Sequence, residues 1–477
     1  MKRYIENISR DQGTLFPDHL EDWVNDENVV RVIDAFVDEL DLVSLGFELA
    51  EATGRPGYHP SILLKLYIYG YLNRVQSSRR LERETLRNVE VMWLLGRLSP
   101  DHKTIADFRK DNGVAIRKVC AQFVELCRQI GLLSVASVAI DGSKFKAVNN
   151  RDRNVTRTKM QRRKDQIAKS VTRYLDQLDS TDRQEPSPAK DARKTRLSEK
   201  ITKLREEMLR LKTLEKQMEA SADQQVSLTD PDSRSMATSG RGSGVVGYNV
   251  QTAVDTEHHL IVTHEVINKG SDRSQLAVMA KKAKEVLDTD KLDVVADRGY
   301  FKSTEILTCD QAGITVTLPK PSTSGAKAEG RYGKQDFRYV TDEDVYICPA
   351  SNRLTYRFTY KEAGLQVRRY WTDLCGGCSM KTQCTPGKER RVSRWEHEEV
   401  LEAVQQRLDE NPKAMRQRRE TVEHPFGTIK MRMGATHFLM KRLKNVRTEM
   451  ALCVLTYNLT RVINILGITP LIQAIRA

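Results

Sequence analysis

Two aspartates of this chain each follow a short apolar run, the pattern of a carboxylate at the end of a buried strand. Asp297 comes directly after residues 294–296, and Asp141 comes after the apolar-rich segment 134–140. Open α/β sheets place their chemistry where such strands end. Either aspartate alone could equally cap a helix, but the repeated arrangement favours one site built from both.

A third carboxylate, Glu423, lies in the cation-dense segment 413–432, which predicts a helix. Arg419 comes four residues before Glu423 and Lys430 seven residues after it, so a helix would place all three on one face. Pro425 predicts a kink or a restart of that helix. An Arg–Glu pair at this spacing is most often a surface ion pair of little energetic weight, and the residues alone leave that alternative open.

Four of the eight cysteines are grouped along the chain: Cys348, Cys375, Cys378 and Cys384. A Cys-x-x-Cys pair with two further cysteines is the minimum set for a tetrahedral zinc–thiolate site. The alternative is four reduced thiols without a metal. The closeness of the last three cysteines favours zinc, with a structural role because all four ligand positions would be filled.

The elements that must position the aspartates predict a mixed α/β sheet. After the strand before Asp141, residues 248–255 and 260–266 predict a hairpin, and residues 314–318 a fifth strand. Helices are predicted between the third, fourth and fifth strands. This order fits an RNase H-like sheet, in which the first and fourth strands lie side by side and Asp141 faces Asp297.

The sequence predicts two domains and two insertions. Residues 1–132 have helical patterning, and residues 133–477 form the α/β domain. The insertion 151–226 predicts a charged helical hairpin, and its residues 151–220 contain 20 Lys and Arg against 12 Asp and Glu. This hairpin is either a solvated charged face or an arm that follows DNA, and the excess of cations favours the arm. The insertion 320–397 is polar, rich in turns and carries the grouped cysteines.

The N-terminal helices offer a second candidate DNA-binding surface. Four cations are predicted on the polar faces of short helices: Arg79, Arg80, Arg83 and Lys103. Such helices could dock on DNA like a helix-turn-helix. An ordinary helical bundle with solvated charges explains them equally well.

Composition narrows the class of partner. The 477 residues carry a net charge of +14, which favours a polyanion such as nucleic acid. The start of the chain lacks the apolar core of a signal peptide, and no apolar stretch approaches membrane-spanning length. We therefore expect a cytoplasmic protein, associated with the nucleoid and without a membrane partner.

Together these motifs resemble the DDE transposases of bacterial insertion sequences, in particular the group with a Tyr-Arg-Glu-Lys signature around the third acid. The resemblance covers nearly the whole chain, and the matching segments are residues 140–144, 247–255, 296–300 and the Arg419, Glu423 and Lys430 spacing. At the position of the family's tyrosine this chain has Arg416. Arginine could replace the tyrosine as a phosphate ligand.

The resemblance implies a site, a cofactor and a partner. Asp141, Asp297 and Glu423 would bind Mg²⁺ or Mn²⁺, which suit a hard, oxygen-rich set of ligands, and would catalyse DNA cleavage and strand transfer. The partner would be double-stranded DNA, both terminal inverted repeats and target, bound by a homodimer. The residues expected to contact DNA are Arg419, Lys430, Arg416, Arg298 and Lys144.

Two other functions remain open on the sequence. One is a different RNase H-like nuclease, such as a relative of resolvases or integrases, and the Arg-Glu-Lys helix argues against it. The other is a catalytically idle DNA-binding descendant. A lost acid would favour that descendant, but Asp141, Asp297 and Glu423 are all present.

Overall fold

The computed structural model describes residues 19–48, 57–148, 154–183, 185, 187–219, 225–237, 244–321 and 325–477. The sequence-based expectation about a signal peptide concerns residues that lie outside these ranges. Part of the link between the two helices predicted for the first insertion lies outside them as well.

The described residues contain seventeen α-helices. They are α1 Val29–Asp38, α2 Leu42–Leu45, α3 Pro60–Leu72, α4 Ser78–Thr85, α5 Val89–Leu94, α6 His102–Asp111, α7 Gly113–Gln129, α8 Arg157–Asp182, α9 Pro188–Glu219, α10 Leu276–Leu287, α11 Ser303–Asp310, α12 Gly325–Ala328, α13 Lys381–Cys384, α14 Glu398–Glu410, α15 Ala414–Gly427, α16 Leu443–Leu466 and α17 Ile468–Arg476. The N-terminal part of the described chain is thus helical, as its patterning predicts.

Thirteen strands are present in the same ranges. They are β1 Ser137–Lys146, β2 Asn154–Thr156, β3 Gln225–Ser227, β4 Arg234–Ala237, β5 Gly244–Asp255, β6 Ile261–Ile267, β7 Leu292–Ala296, β8 Ile314–Thr317, β9 Arg338–Val340, β10 Val345–Ile347, β11 Arg353–Glu362, β12 Leu365–Trp371 and β13 Val392–Trp395. The protein therefore belongs to the mixed α/β class.

The chain divides into two compact units. The first unit comprises Met1–Ser134, Gly142–Gly270 and Val422–Ala477, and the second comprises Val135–Asp141 and Ser271–Thr421. Strand β1 begins in the second unit and ends in the first. Each unit is described separately below.

In the second unit, the first half of β1 pairs in parallel with β7, and β7 pairs in parallel with β8. Val138, Ala139 and Ile140 are fully buried, as expected for the central strand of a parallel sheet. Ile140 lies opposite Ala296 in the register. The next residue on each strand is an aspartate, so the register fixes where the two acids stand.

Strand β1 is longer than the sequence predicts. The prediction ends it before Asp141, whereas the strand continues to Lys146. In the first unit this second half lies along β5, and Ala147 N donates to Val246 O over 3.0 Å. Gly247 permits the close approach, because a Cβ there would lie 1.9 Å from the Phe145 carbonyl oxygen. Pairing thus keeps a polar, glycine-containing stretch extended.

The first unit also contains the predicted hairpin. Strands β5 and β6 pair antiparallel, with Val250 opposite Val266, and β4 pairs with the start of β5. Helix α16 is largely buried and covers the free edge of β6. The Asn458 side chain accepts from Ile261 N and donates to Ile261 O, both over 2.9 Å, and Arg447 Nε donates to Val266 O over 3.2 Å.

Helices α8 and α9 pack against each other, as the predicted helical hairpin requires. Met160, Ile167, Leu211 and Met218 form a small buried cluster between them. Strands β2 and β3 pair antiparallel at the base of these helices. The remaining surface of the two helices is mostly exposed and charged.

A second sheet, in the second unit, was not predicted. Residues 338–395 form five antiparallel strands in the order β13-β12-β11-β10-β9. The hairpin of β11 and β12 turns at Ala363 and Gly364, which both have positive φ. The segment 320–397 is therefore not only polar and rich in turns.

The C-terminal part of the chain contains a helix that continues past a proline. Helix α15 passes through Pro425 to Gly427 and is followed by a π-helical turn, Thr428–Arg432, so the predicted restart at Pro425 is wrong. Within the described ranges no single helix is long and apolar enough to cross a membrane. Helices α16 and α17 meet that length and composition as a pair, but they are bent by 111° at their junction.

Candidate active site

The second unit brings Asp141 and Asp297 together. They follow Ile140 and Ala296, which are register partners on adjacent parallel strands. Neighbouring strands lie about 4.8 Å apart, so equivalent positions place two side chains next to each other. Asp141 is about one-quarter exposed and Asp297 about half exposed, so solvent reaches both side chains.

Asp297 both caps a turn and belongs to this pair. Its Oδ1 accepts from Gly299 N over 2.8 Å, at the start of the 3-10 turn Arg298–Tyr300. A Cβ at residue 299 would lie 2.9 Å from Oδ1, so glycine is what allows the carboxylate to fold back onto this amide. The capping bond holds Oδ1 at this amide.

Arg418 of α15 supplies a cation between the two acids, and sequence reasoning missed it. Its Nη2 lies 2.6 Å from Asp141 Oδ1 and 3.9 Å from Asp297 Oδ2. The guanidinium is mostly buried, and its Nε has no hydrogen-bond partner among the described residues. We call Asp141, Asp297 and Arg418 the acid-pair cluster.

A buried tyrosine lies beside the acid-pair cluster. Burial raises the pKa of the Tyr300 hydroxyl well above its usual range, and the carboxylates Asp272, Asp141 and Asp297 raise it further while Arg418 opposes them. Tyr300 therefore keeps its proton and remains a neutral hydrogen-bond donor near these carboxylates. Asp272 is a fourth acid of this neighbourhood that the sequence did not single out.

In the first unit, Lys430 is held against the end of β1. Its Nζ donates to Ser143 Oγ over 2.5 Å and to Lys144 O over 3.1 Å, and it lies 4.5 Å from the Phe145 ring centroid. The predicted phosphate ligand is thus anchored by two residues that follow Asp141 closely in the chain.

Four of the other predicted site residues are exposed. Glu423 belongs to the first unit and is exposed, while Arg416, Arg419 and Arg298 are exposed residues of the second unit. Arg416 forms an ion pair with Glu420 over 2.9 Å. Among the residues that the structure describes, no group of three or more His, Cys, Asp or Glu side chains has the arrangement of a metal site.

The four grouped cysteines line one cavity in the second unit. Cys348, Cys375, Cys378 and Cys384 surround a space of about 20 Å³, next to the aromatic core of the five-stranded sheet. Burial raises the pKa of Cys384, and the three other thiols raise it further while Arg390 opposes them. The sulfur groups are therefore near neighbours, although they do not have metal-binding geometry.

Two family models match the chain. The model described as "Transposase domain (DUF772)" matches residues 18–111, and the model described as "Transposase DDE domain" matches residues 347–463. The chain thus contains a transposase domain and a transposase DDE domain. Together, the two matches support a DDE transposase of an insertion sequence. The second match includes Glu423, Lys430 and the grouped cysteines but neither Asp141 nor Asp297, so the placement of the aspartates is known from the structure alone.

No curated protein matches the chain. The cryo-EM structure of a piggyBac transposase synaptic complex with hairpin DNA matches 94% of this chain and 79% of that chain, at 8% sequence identity and a TM-score of 0.33. A TM-score this low does not establish a common fold. The assignment therefore depends on the two family models.

Proposed function

We propose that this transposase binds the terminal inverted repeats of its own insertion sequence as a homodimer and catalyses metal-dependent DNA cleavage and strand transfer. The observation that carries the proposal is that Asp141 and Asp297 directly follow the register partners Ile140 and Ala296, and that the Arg418 guanidinium lies near both carboxylates. Such a pair is suited to divalent-metal chemistry on phosphodiesters. The reaction would take place on nucleoid DNA in the cytoplasm.

We also propose that the sheet is an RNase H-like core. In the first unit β6 pairs with β5 and β5 with β1, and in the second unit β1 pairs with β7 and β7 with β8. The five strands predicted from the sequence thus pair in the order third, second, first, fourth, fifth. This order supports the predicted core, because it sets the first and fourth strands side by side.

The proposed metal ligands are Asp141, Asp297 and Glu423. The acid pair fits a divalent cation, because a guanidinium already stands between the two carboxylates. Bound there, Mg²⁺ or Mn²⁺ would activate a water or a DNA 3′-hydroxyl and stabilise the leaving oxygen. Glu423 is proposed as the third ligand because it stands four residues after Arg419 and seven before Lys430, the spacing that resembles the family's third acid, in the segment matched by the DDE model.

The chain's own residues position the acids and the DNA. The Gly299 amide orients the Asp297 carboxylate, and Tyr300 stays protonated as a neutral donor beside it. Lys430, held by Ser143, would meet a phosphate as a point charge. The remaining proposed phosphate contacts are Arg419, Arg416, Arg298 and Lys144.

The test uses DNA that carries the sequence flanking the gene, with Mg²⁺ present. Asp141→Asn, Asp297→Asn and Glu423→Gln should each lower cleavage by several orders of magnitude, because a charge that holds the metal is lost. Gel-shift binding to the same DNA should persist, since it depends on phosphate contacts made elsewhere. The matched control is Asp293→Asn, an exposed aspartate on β7, which should cut at the wild-type rate.

Other outcomes would point to other functions. Cleavage without strand-transfer products would favour a different nuclease, and binding without cleavage by the wild-type chain would indicate an idle descendant. If Glu423→Gln cuts normally, Glu423 is not the third ligand. Asp272 would then be the next residue to test, since it lies in the second unit near Tyr300.

We further propose that the four grouped cysteines hold one structural zinc. The set has the soft sulfur donors that zinc prefers, and all four line the same cavity. The four cysteines would lose their thiol protons on binding zinc. The metal would then link the loop of Cys348 to the segment that contains Cys375, Cys378 and Cys384. The zinc would then stabilise one end of the five-stranded sheet.

A further inference from the structure

Arg418 stands where the proposed reaction requires a metal. Its Nη2 contacts both carboxylates of the acid pair, at 2.6 Å for Asp141 and 3.9 Å for Asp297. We propose that Arg418 is a resident counter-ion of the acid pair, which a divalent metal must displace before the site can act. This inference rests on the proposed function, because it takes Asp141 and Asp297 as metal ligands.

The acid pair needs a cation in every state. Two ionised carboxylates at equivalent positions of adjacent strands repel each other, and this repulsion is strongest where water is partly excluded. Asp297 cannot turn away freely, because its Oδ1 is bound to Gly299 N. A guanidinium between the two acids therefore stabilises the site until a metal arrives.

The Arg418 guanidinium nevertheless leaves part of its hydrogen-bonding capacity unused in this position. At 3.9 Å, the distance from Nη2 to Asp297 Oδ2 is too long for a hydrogen bond, so the guanidinium attracts this carboxylate by charge alone. The Nε of Arg418 is buried and lacks a hydrogen-bond partner among the described residues. A buried donor without a partner is unfavourable, so the guanidinium is a displaceable occupant and not an optimal one.

The Arg418 side chain has access to solvent. Its sequence neighbours Gln417 and Arg419 are exposed. The Arg418 side chain itself is 15% exposed, so it borders solvent. The exchange therefore takes one cation out of the acid pair as another enters.

Competition of this kind weakens the apparent affinity for metal. If Arg418 occupies the pair about 90% of the time, the apparent dissociation constant of the metal rises about tenfold. Removing the guanidinium should thus tighten metal binding. A permanent structural ion pair would give the opposite result, since its loss would disorder the ligands and weaken metal binding.

The first experiment measures Mn²⁺ binding without DNA, by the electron paramagnetic resonance signal of free Mn²⁺. We compare the full wild-type chain, Arg418→Gln and Arg407→Gln. Arg407 is a partly buried arginine of the second unit that donates to Val316 O and does not touch the acids. Arg418→Gln should bind Mn²⁺ about tenfold more tightly, and Arg407→Gln should match the wild type. Equal or weaker binding by Arg418→Gln, or no binding by any of the three chains, would overturn the proposal.

A second measurement uses the wild-type chain alone, so it does not depend on a variant that folds. An arginine-specific reagent such as phenylglyoxal is applied with and without Mn²⁺, and each modified arginine is quantified by mass spectrometry. Arg418 should react several-fold faster with Mn²⁺ present, while Arg407 should be unchanged. A rate for Arg418 that Mn²⁺ leaves unchanged or lowers would contradict the exchange.

The two proposals can fail separately. If the wild-type chain exchanges Arg418 for Mn²⁺ but does not cut the ends of its element, the transposase chemistry is wrong and the exchange stands. If it cuts those ends but Arg418→Gln shows unchanged Mn²⁺ affinity, the exchange is wrong and the chemistry stands.

Discussion

The acid pair of Asp141 and Asp297 and the cavity of the four grouped cysteines both lie in the second unit, and they differ in what occupies them. In the acid-pair cluster, an arginine of the chain already contacts both carboxylates. In the cysteine cavity, four thiols face a small space, and the raised pKa of Cys384 keeps that thiol protonated at neutral pH. One site carries its own cation, and the other carries a protonated thiol.

This difference sets what a metal must replace at each site. At the acid pair the metal exchanges for a side chain, so the chain can hold its shape in either state. At the cysteines the metal exchanges for protons, and the ligands become charged only when it binds. Loss of metal should therefore have little effect on folding at the first site and a large effect at the second. Zinc binding should also strengthen as the pH rises.

The largest expected effect on stability is at the cysteine cavity. Protein purified without chelator should contain about one zinc per chain. Cys378→Ser should lose this zinc and lower the free energy of unfolding by about 4 kcal/mol, because the binding energy of a structural metal is part of the folding energy. Elemental analysis and denaturant unfolding measure the two quantities.

The control for this prediction is Cys309→Ala, which removes a buried thiol elsewhere in the second unit. It should keep the zinc. If the wild-type chain contains no zinc and Cys378→Ser is equally stable, the cysteines do not form a structural metal site.

An intermediate effect is expected for Gly299→Ala. The added Cβ would lie 2.9 Å from Asp297 Oδ1, so the carboxylate must turn and give up its hydrogen bond to the residue 299 amide. Losing a bond of this kind should lower the free energy of unfolding by about 1–2 kcal/mol. Cleavage should fall as well, because Asp297 is no longer oriented.

The comparison for Gly299→Ala is Gly325→Ala, since a Cβ at residue 325 meets no described atom within 4 Å. Thermal unfolding and cleavage are measured on both variants. Wild-type values for Gly299→Ala would show that the capping bond does not orient the acid.

The smallest effect on stability is expected for Asp141→Asn. Arg418 keeps Asp297 as its partner, and asparagine keeps both the shape and one acceptor oxygen of Asp141. The free energy of unfolding should therefore change by less than about 1 kcal/mol in denaturant unfolding. A loss as large as that of Cys378→Ser would mean that the acid pair is structural after all.

The sequence predicted that the strands before Asp141 and Asp297 lie side by side, for an identifiable reason. The apolar runs before Asp141 and Asp297 mark buried strands, and parallel strands in equal register bring equivalent positions together. The strand hairpin of β5 and β6 and the helical hairpin of α8 and α9 followed from sequence patterning in the same way.

Two features could not be predicted because they depend on strand pairing and on how far a side chain extends. The second half of β1 has no apolar alternation, and only its partner β5 keeps it extended. Arg418 was overlooked because the argument from helical spacing selected Arg419, and spacing does not show how far a long side chain reaches. The β11 and β12 hairpin did carry a signal, Tyr356, Phe358 and Tyr360 at every second residue before an Ala-Gly turn.

Helix α16 covers one edge of β6 and so limits how copies of the chain can associate through this sheet. An open edge strand offers main-chain groups to which another strand can add. Here Asn458 occupies both main-chain groups of Ile261, and Arg447 occupies the carbonyl of Val266. The helix thereby closes this edge to strand addition, which protects the sheet against edge-to-edge polymerisation. A homodimer on DNA would have to form through side-chain surfaces and not through a continued sheet at β6.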